Sequence, residues 1–301
     1  MGTSLDHISV CVCTYNRPHL LERLLAGLSN QVTRGRFWYS VVVVDNDRLQ
    51  SARITVSTIA EKAPVDITYV SEPEKNISLA RNRAVQNAMG NYLAFIDDDE
   101  FPGEDWLLNL YNTCQMSNAD GVLGPVLPHY EVEPPEWVVK GRLHSRNEFK
   151  TGTILRNSKD TRTGNVLLAM MIFDKMQDPF DLQFGRTGGE DTEFFRRMMG
   201  EGRVFAWCNE APVYENVPPE RMKRSYLLRR ALLRGTVTGR SQSFSVLGTS
   251  KSILAFCLYV LSLPVLQLAG HHLFMKYLVK SCDHIGKILA TFGIIIVDER
   301  K

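Results

Sequence analysis

An α/β fold with a mostly parallel central sheet and helices on both faces is predicted, on three observations. Through Asp97, short β-branched or apolar runs alternate with segments of helical periodicity, the pattern of strands joined by crossover helices. Val41–Val44 is an unbroken run of valines, as expected of a strand covered on both faces. Two of these strands end in acids, Asp45 and Asp97-Asp98-Asp99, where open α/β sheets place their ligands.

Ile8–Thr14 reads as the first strand and Tyr15-Asn-Arg-Pro18 as the loop leaving it. Pro18 suits a first helical turn, and Leu20, Leu21, Leu24, Leu25 and Leu28 carry the helical spacing to about Asn30. A moderate helix is expected from about Gln50 to Lys62, then a strand over Asp66–Val70. Asn76 or Ser78 caps a helix running to about Met89. Gly90-Asn91 turns the chain into the strand Tyr92–Ile96, which ends in the acids. Further on, the reading is a helix over Glu104–Gln115 and a strand over Gly121–Leu127. Pro134–Trp137 begins a short helix or loop, and Arg142–Thr163 is polar and irregular. Asn165–Phe173 returns to strand character. A glycine-rich turn then leads into a helix over Thr192–Met199, and Arg203–Trp207 and Ala211–Val217 are extended.

From Pro218 the character changes. Glu220–Arg240 is a basic helix candidate, and between Arg221 and Lys251 there are eight basic residues and no acid. Ile253–Ala269 is apolar and interrupted by Pro264, near the lower length limit of a membrane span. Ile285–Val297 is apolar but too short to cross unless tilted or partly inserted. A basic block beside such a run is expected to meet an anionic membrane surface. Nucleic acid is not expected as a partner, because the neighbour of the basic block is an apolar run and not an aromatic-interleaved surface. Six cysteines without framework spacing fit a reducing compartment, and Cys11 and Cys13 share one face of the first strand as core residues. No secretory leader pattern precedes that strand.

Asp97, Asp98 and Asp99 side by side repel one another, so a cation must balance them. A hard divalent ion, Mg²⁺ or Mn²⁺, prefers such oxygen ligands. The alternative is a solvated acidic turn opening the next helix. Asp191 is equally open to two readings, a general base or a first-turn acid stabilised by the helix dipole.

Five motifs in order resemble the family 2 glycosyltransferases over about residues 7–240. They are Val10-Cys-Val-Cys-Thr-Tyr-Asn-Arg-Pro18, Val41–Asp45, Asn76-Ile-Ser-Leu-Ala-Arg-Asn-Arg83, Phe95-Ile-Asp-Asp-Asp99 and Gly188-Gly-Glu-Asp191. The bacterial exopolysaccharide enzymes of the succinoglycan type are nearest in pattern. The resemblance implies the GT-A nucleotide-diphospho-sugar fold and an inverting transfer from a nucleotide-sugar donor, usually a UDP-sugar. It implies Asp99 as metal ligand, with Asp97 or Asp98 reaching the ribose or the metal-bound waters, and Asp97 as a second metal ligand. Asp191 is then the base and Glu190 a contact to acceptor hydroxyls. Thr14, Tyr15, Arg17 and Asp45 hold the nucleoside, and Arg81 contacts the base or the diphosphate; otherwise Arg81 and Arg83 are helix-surface charges.

Two departures from the family pattern matter. Where many relatives carry a metal-binding His, Pro212-Val-Tyr-Glu215-Asn-Val217 offers only Glu215. The Gln-x-x-Arg-Trp motif of processive synthases is absent, since Leu227-Leu-Arg-Arg230 lacks the Trp, which implies one sugar per acceptor. The expected layout is a catalytic domain over 1–217 and a membrane-associated helical tail over 218–301. Within the former, the nucleotide half covers about 1–100 and the acceptor half about 101–217. The acceptor is expected to be a glycan carried on lipid at the cytoplasmic face of the plasma membrane, the tail being peripheral or spanning once. The rival function is a catalytically silent nucleotide-binding membrane scaffold.

Overall fold

The computed structural model describes residues 5–241, 246–294 and 296–297. The chain falls into two units, one of residues 1–127, 146–185 and 190–215, the other of residues 128–145, 186–189 and 216–301.

The first unit is built on a seven-stranded sheet. Its strands are β1 (Asp6–Thr14), β2 (Phe37–Asp45), β3 (Ile67–Ser71), β4 (Tyr92–Asp97), β6 (Gly121–Leu123), β8 (Asn165–Ala169) and β9 (Phe205–Trp207). Their order is β3-β2-β1-β4-β8-β6-β9. β1, β2, β3 and β4 run parallel, and β8 is antiparallel to both neighbours. A second sheet has the order β5-β10-β7, from Glu100–Pro102 (β5), Val213–Asn216 (β10) and Val126–His129 (β7).

The strand period of two sorts β1 and β2 onto two cores. Ile8, Val10, Val12, Val41 and Val43 enter one, with Leu21, Leu24, Leu25 and Leu28 of helix α1 (Pro18–Leu28) and Val56 of α2 (Arg53–Ala60). Trp106, Leu107 and Leu110 of α4 (Trp106–Ser117) join them. Cys11, Val42 and Val44 enter the other, with Ala80 and Ala84 of α3 (Ile77–Asn87) and Phe194, Phe195 and Met198 of α6 (Glu190–Gly200). Both faces of the valine run are therefore covered. Cys11 and Cys13 lie with the second core, and all six cysteines are free thiols.

Three expectations change. Asp98 and Asp99 lie in a turn between β4 and β5 and do not open a helix, because Glu100–Pro102 pairs with β10. Gly121–Leu127 is two strands of different sheets, broken where Gly124 passes so close to Ala211 that an added Cβ would sit 2.3 Å from its carbonyl oxygen. The strand from Asn165 stops at Ala169 and becomes a 3-10 turn over Met170–Phe173. The irregular stretch before it is tied down, since Gly152 N and Leu155 N donate to Trp207 O and Phe205 O of β9.

The second unit holds α5 (Glu136–Lys140), α7 (Arg224–Ser241), α8 (Val246–Ala269) and α9 (His271–Thr291). α7 and α9 approach at backbone distance. A Cβ on Gly235 would fall 2.1 Å from Asp283 O, and one on Gly286 would fall 2.4 Å from Leu232 O. Arg234 and Asp283 pair across the same contact. Pro264 does not interrupt α8. Leu247–Ala269 is long and apolar enough to cross a membrane and only 6% of its apolar window is buried, so it is not a buried core helix. The apolar segment from Ile285 lies mostly within α9, and Ile295 falls outside the described residues.

Asn165 shows how the sheet is tied to its surroundings. It is fully buried, accepts from Trp106 Nε1 at 2.8 Å, and donates to Pro125 O and Ala211 O. Asn165→Leu strands a donor and two acceptors in the core. Urea unfolding is expected to show a loss of about 2–4 kcal/mol, since each orphaned buried group costs about 1–3 kcal/mol.

Candidate active site

The site forms where β1, β2 and β4 end at one level. In register, Cys13 faces Asp97 and Thr14 faces Asp45. Asn16, with φ of 53°, bends the chain out of β1 so that Arg17 turns back over the acids. Thr14 Oγ1 donates to Asp98 Oδ2 at 2.8 Å, and Arg17 Nη1 donates to Asp98 Oδ1 at 2.9 Å and Asp99 Oδ2 at 3.2 Å. Tyr15, beside them, is exposed, with Lys75 Nζ 4.6 Å from its ring centroid.

The three aspartates are not equivalent. Side-chain exposure is 46% for Asp97 but 7% for Asp98 and 10% for Asp99. Burial pushes the Asp98 carboxyl up to about 6, against the pull of Arg17 and Thr14, with Asp99 and Asp97 adding repulsion. Glu100, 2% exposed, is pushed well above the usual carboxylate range by burial and then by Asp97 and Glu215, with Arg146 opposing. Its Oε2 accepts from Asp97 N at 3.1 Å, which fixes the turn.

Arg81 joins this cluster to α6. It is 6% exposed, pairs with Glu190 through Nη1, and brings Nη2 to 3.5 Å from Asp97 Oδ1. Burial opposes its charge, but Glu190, Asp97 and Asp191 outweigh that and hold the guanidinium protonated. Arg81 is thus no helix-surface charge. Gly188 and Gly189, at φ of 85° and 101°, make the turn into α6 that delivers Glu190 and Asp191 together. Glu190 points inward and is 2% exposed, whereas Asp191 is half-buried. Asp191 Oδ1 accepts from Thr192 N at 2.7 Å and sits in the first turn, where the helix dipole favours its charge.

Asp45 is put to internal use. It is fully buried, and its oxygens accept from Asp47 N, Ala52 N and Tyr69 OH, closing the turn after β2. Next to it, Asn46 reaches Glu72 O with Nδ2 and accepts from Asn76 N, while Asn76 Oδ1 caps α3. Glu215 is paired with Arg146. Among the described residues, no group of three or more His, Cys, Asp or Glu side chains is arranged to hold a metal by itself.

Sequence reasoning passed over Arg146 and Arg162. Both lie in the irregular stretch before β8, where a lone arginine in polar chain has no periodicity to mark it. Two residues after Arg162, a Cβ on Gly164 would lie 2.7 Å from Glu100 Oε1 and 3.0 Å from Asp97 Oδ2, so this segment lies directly against the acids.

Removing one member of the Arg81–Glu190 pair leaves the other charge buried. Arg81→Gln is expected to lower stability by about 3–5 kcal/mol in urea, the cost of an uncompensated buried ion. The double change Arg81→Gln with Glu190→Gln should recover most of that loss. Additive losses in the double variant would show that the pair is not coupled.

The family model described as glycosyl transferase family 2 matches residues 9–177. The chain is 40% identical over 242 residues to the succinoglycan biosynthesis protein ExoM of Rhizobium meliloti, covering 78% of this chain and 74% of that protein. It is 25% identical over 246 residues to the chondroitin synthase of Escherichia coli, covering 71% of this chain but only 35% of that longer enzyme. Among solved structures, S. aureus TarS 1–349 in complex with UDP superposes with a TM-score of 0.54 at 16% identity, over 95% of this chain and 90% of that one. That likeness shows the GT-A-like fold: a mostly parallel α/β sheet, here followed by a C-terminal helical extension. With the strand-end acids and the Glu190-Asp191 turn in place, the chain belongs to glycosyl transferase family 2.

Proposed function

We propose that this glycosyltransferase moves one sugar, with inversion, from a UDP-sugar to a hydroxyl of a lipid-linked glycan during exopolysaccharide synthesis. The observation that carries this is the Arg81 bridge, which brings the aspartates at the end of β4 and the acids at the start of α6 into one site. The exopolysaccharide assignment is supported by the name of the 40%-identical relative, and the nucleotide by the UDP bound to TarS.

Asp191 is the acid suited to act as base. It is the more accessible of the pair, while Glu190 is held by Arg81 and orients the helix start. As base, Asp191 accepts the proton of the attacking hydroxyl as the bond to the anomeric carbon forms and the nucleoside diphosphate leaves. Tyr15 offers an exposed ring to the nucleobase, and Thr14 and Arg17 steady the acids beneath it. Asp45 acts on the nucleoside indirectly, by fixing the turn after β2.

The donor set suits a hard cation, since it offers only carboxylate oxygens and Asp97 is open. With no complete protein cage, Asp97 and Asp99 would hold Mg²⁺ or Mn²⁺ jointly with the diphosphate oxygens. Bound there, the ion would neutralise charge building on the leaving diphosphate. The exposed α8 and the basic residues of α7 support association with an anionic membrane at its cytoplasmic face, peripherally or by one span.

Transfer from UDP-sugars in membranes should fall about 10²–10⁴-fold in Asp191→Asn, the usual contribution of a general base. UDP binding should persist in that variant, and Asp99→Asn should lose the Mn²⁺-dependent part of it. A wild-type protein that binds UDP without turnover would be a silent scaffold. The pH dependence follows from Asp98. Below about 6 its carboxyl holds a proton that a cation-bearing ligand must displace. Calorimetric affinity for Mn²⁺–UDP is therefore expected to rise between pH 5 and 7, and to lose that slope in Asp98→Asn.

A further inference from the structure

We propose that Arg162 forms a diphosphate-binding subsite on the Asp191 side of the cluster, using a guanidinium that makes no hydrogen bond or ion pair among the described residues. The proposal rests on the glycosyltransferase reading for its chemistry but not for its geometry. Arg162 is only partly exposed, and among the described residues it makes no hydrogen bond and no ion pair within 4.0 Å. A cation withdrawn from water is normally paired.

The acids that attract it form no ion pair with it among the described residues: Glu215 is held by Arg146, and burial pushes the Glu100 carboxyl well above its usual range. Arg146 faces Arg162 as a like charge. Burial first, and then Arg146, push the Arg162 guanidinium down to about 10, against the weaker pull of Asp191, Glu100 and Glu215. The next residue, Thr163, is 1% exposed, and its Oγ1 has no hydrogen-bond partner among the described residues. Gly164 then lies so near Asp97 and Glu100 that an added Cβ would strike their carboxylates.

A guanidinium and a buried hydroxyl, both without a hydrogen-bond partner among the described residues, and a glycine against the acids thus lie in succession. A planar fork of N–H donors matches the paired oxygens of a phosphate. Two sources supply that chemistry here: the nucleoside diphosphate of the donor, and the diphosphate joining a glycan to its lipid carrier. Either would bring the anion that Arg162 lacks.

The test is calorimetric titration of wild type, Arg162→Gln and Arg162→Lys with inorganic pyrophosphate, UDP with Mn²⁺, and farnesyl diphosphate. Pyrophosphate affinity should fall about tenfold or more in Arg162→Gln and recover in part in Arg162→Lys. A loss shared with UDP assigns the donor as the source, and one shared with farnesyl diphosphate assigns the lipid carrier. The ligand-free Arg162→Gln protein should melt no lower than wild type, because an unpaired desolvated charge has been removed. Unchanged pyrophosphate affinity, or a melting temperature several degrees lower, overturns the proposal. Absence of turnover with the pyrophosphate response intact would instead count against the transferase reading alone.

Discussion

The site depends on the compensation of carboxylates that the fold crowds together. Asp97, Asp98, Asp99, Glu100 and Glu190 lie within reach of a few arginines, and most of them are withdrawn from water. Left alone they would repel or take up protons, and both responses are visible: Arg81 and Arg17 pair with some, while Asp98 and Glu100 hold their protons to higher pH. Arg81 is central because it is the most buried of these arginines and touches both ends of the site.

This arrangement divides labour between neighbouring acids of one motif. In the aspartate run, Asp97 is open, while the buried Asp98 and Asp99 are tied to Arg17 in the loop after β1. In the Glu190-Asp191 pair, the buried member locks onto Arg81 and the other is half-buried. In each motif one acid is more buried than its neighbour, and Arg81 links the two motifs through Asp97 and Glu190.

The second unit follows a different packing rule. α7 and α9 meet through glycines at backbone distance, where a larger side chain would strike the facing carbonyl. α8 leaves Leu254, Leu261, Val265 and Leu268 exposed.

The sequence by itself determined the parallel strands, the flanking helices and the acids at the strand ends. Strand and helix periods, the valine run and the position of an acid after an apolar segment are local properties of the chain. It also marked Asp191, through the glycines that make its turn. What it did not determine was which carboxylate is open, that Asp45 closes its own turn, that Glu215 pairs with Arg146, or that Arg162 makes no ion pair with a described residue. Those outcomes depend on burial and on partners far along the chain: Arg17 meets Asp98 across 81 residues, and Arg81 meets Glu190 across 109. Charge compensation is decided by which side chains the fold brings together, and only the tertiary structure makes that choice.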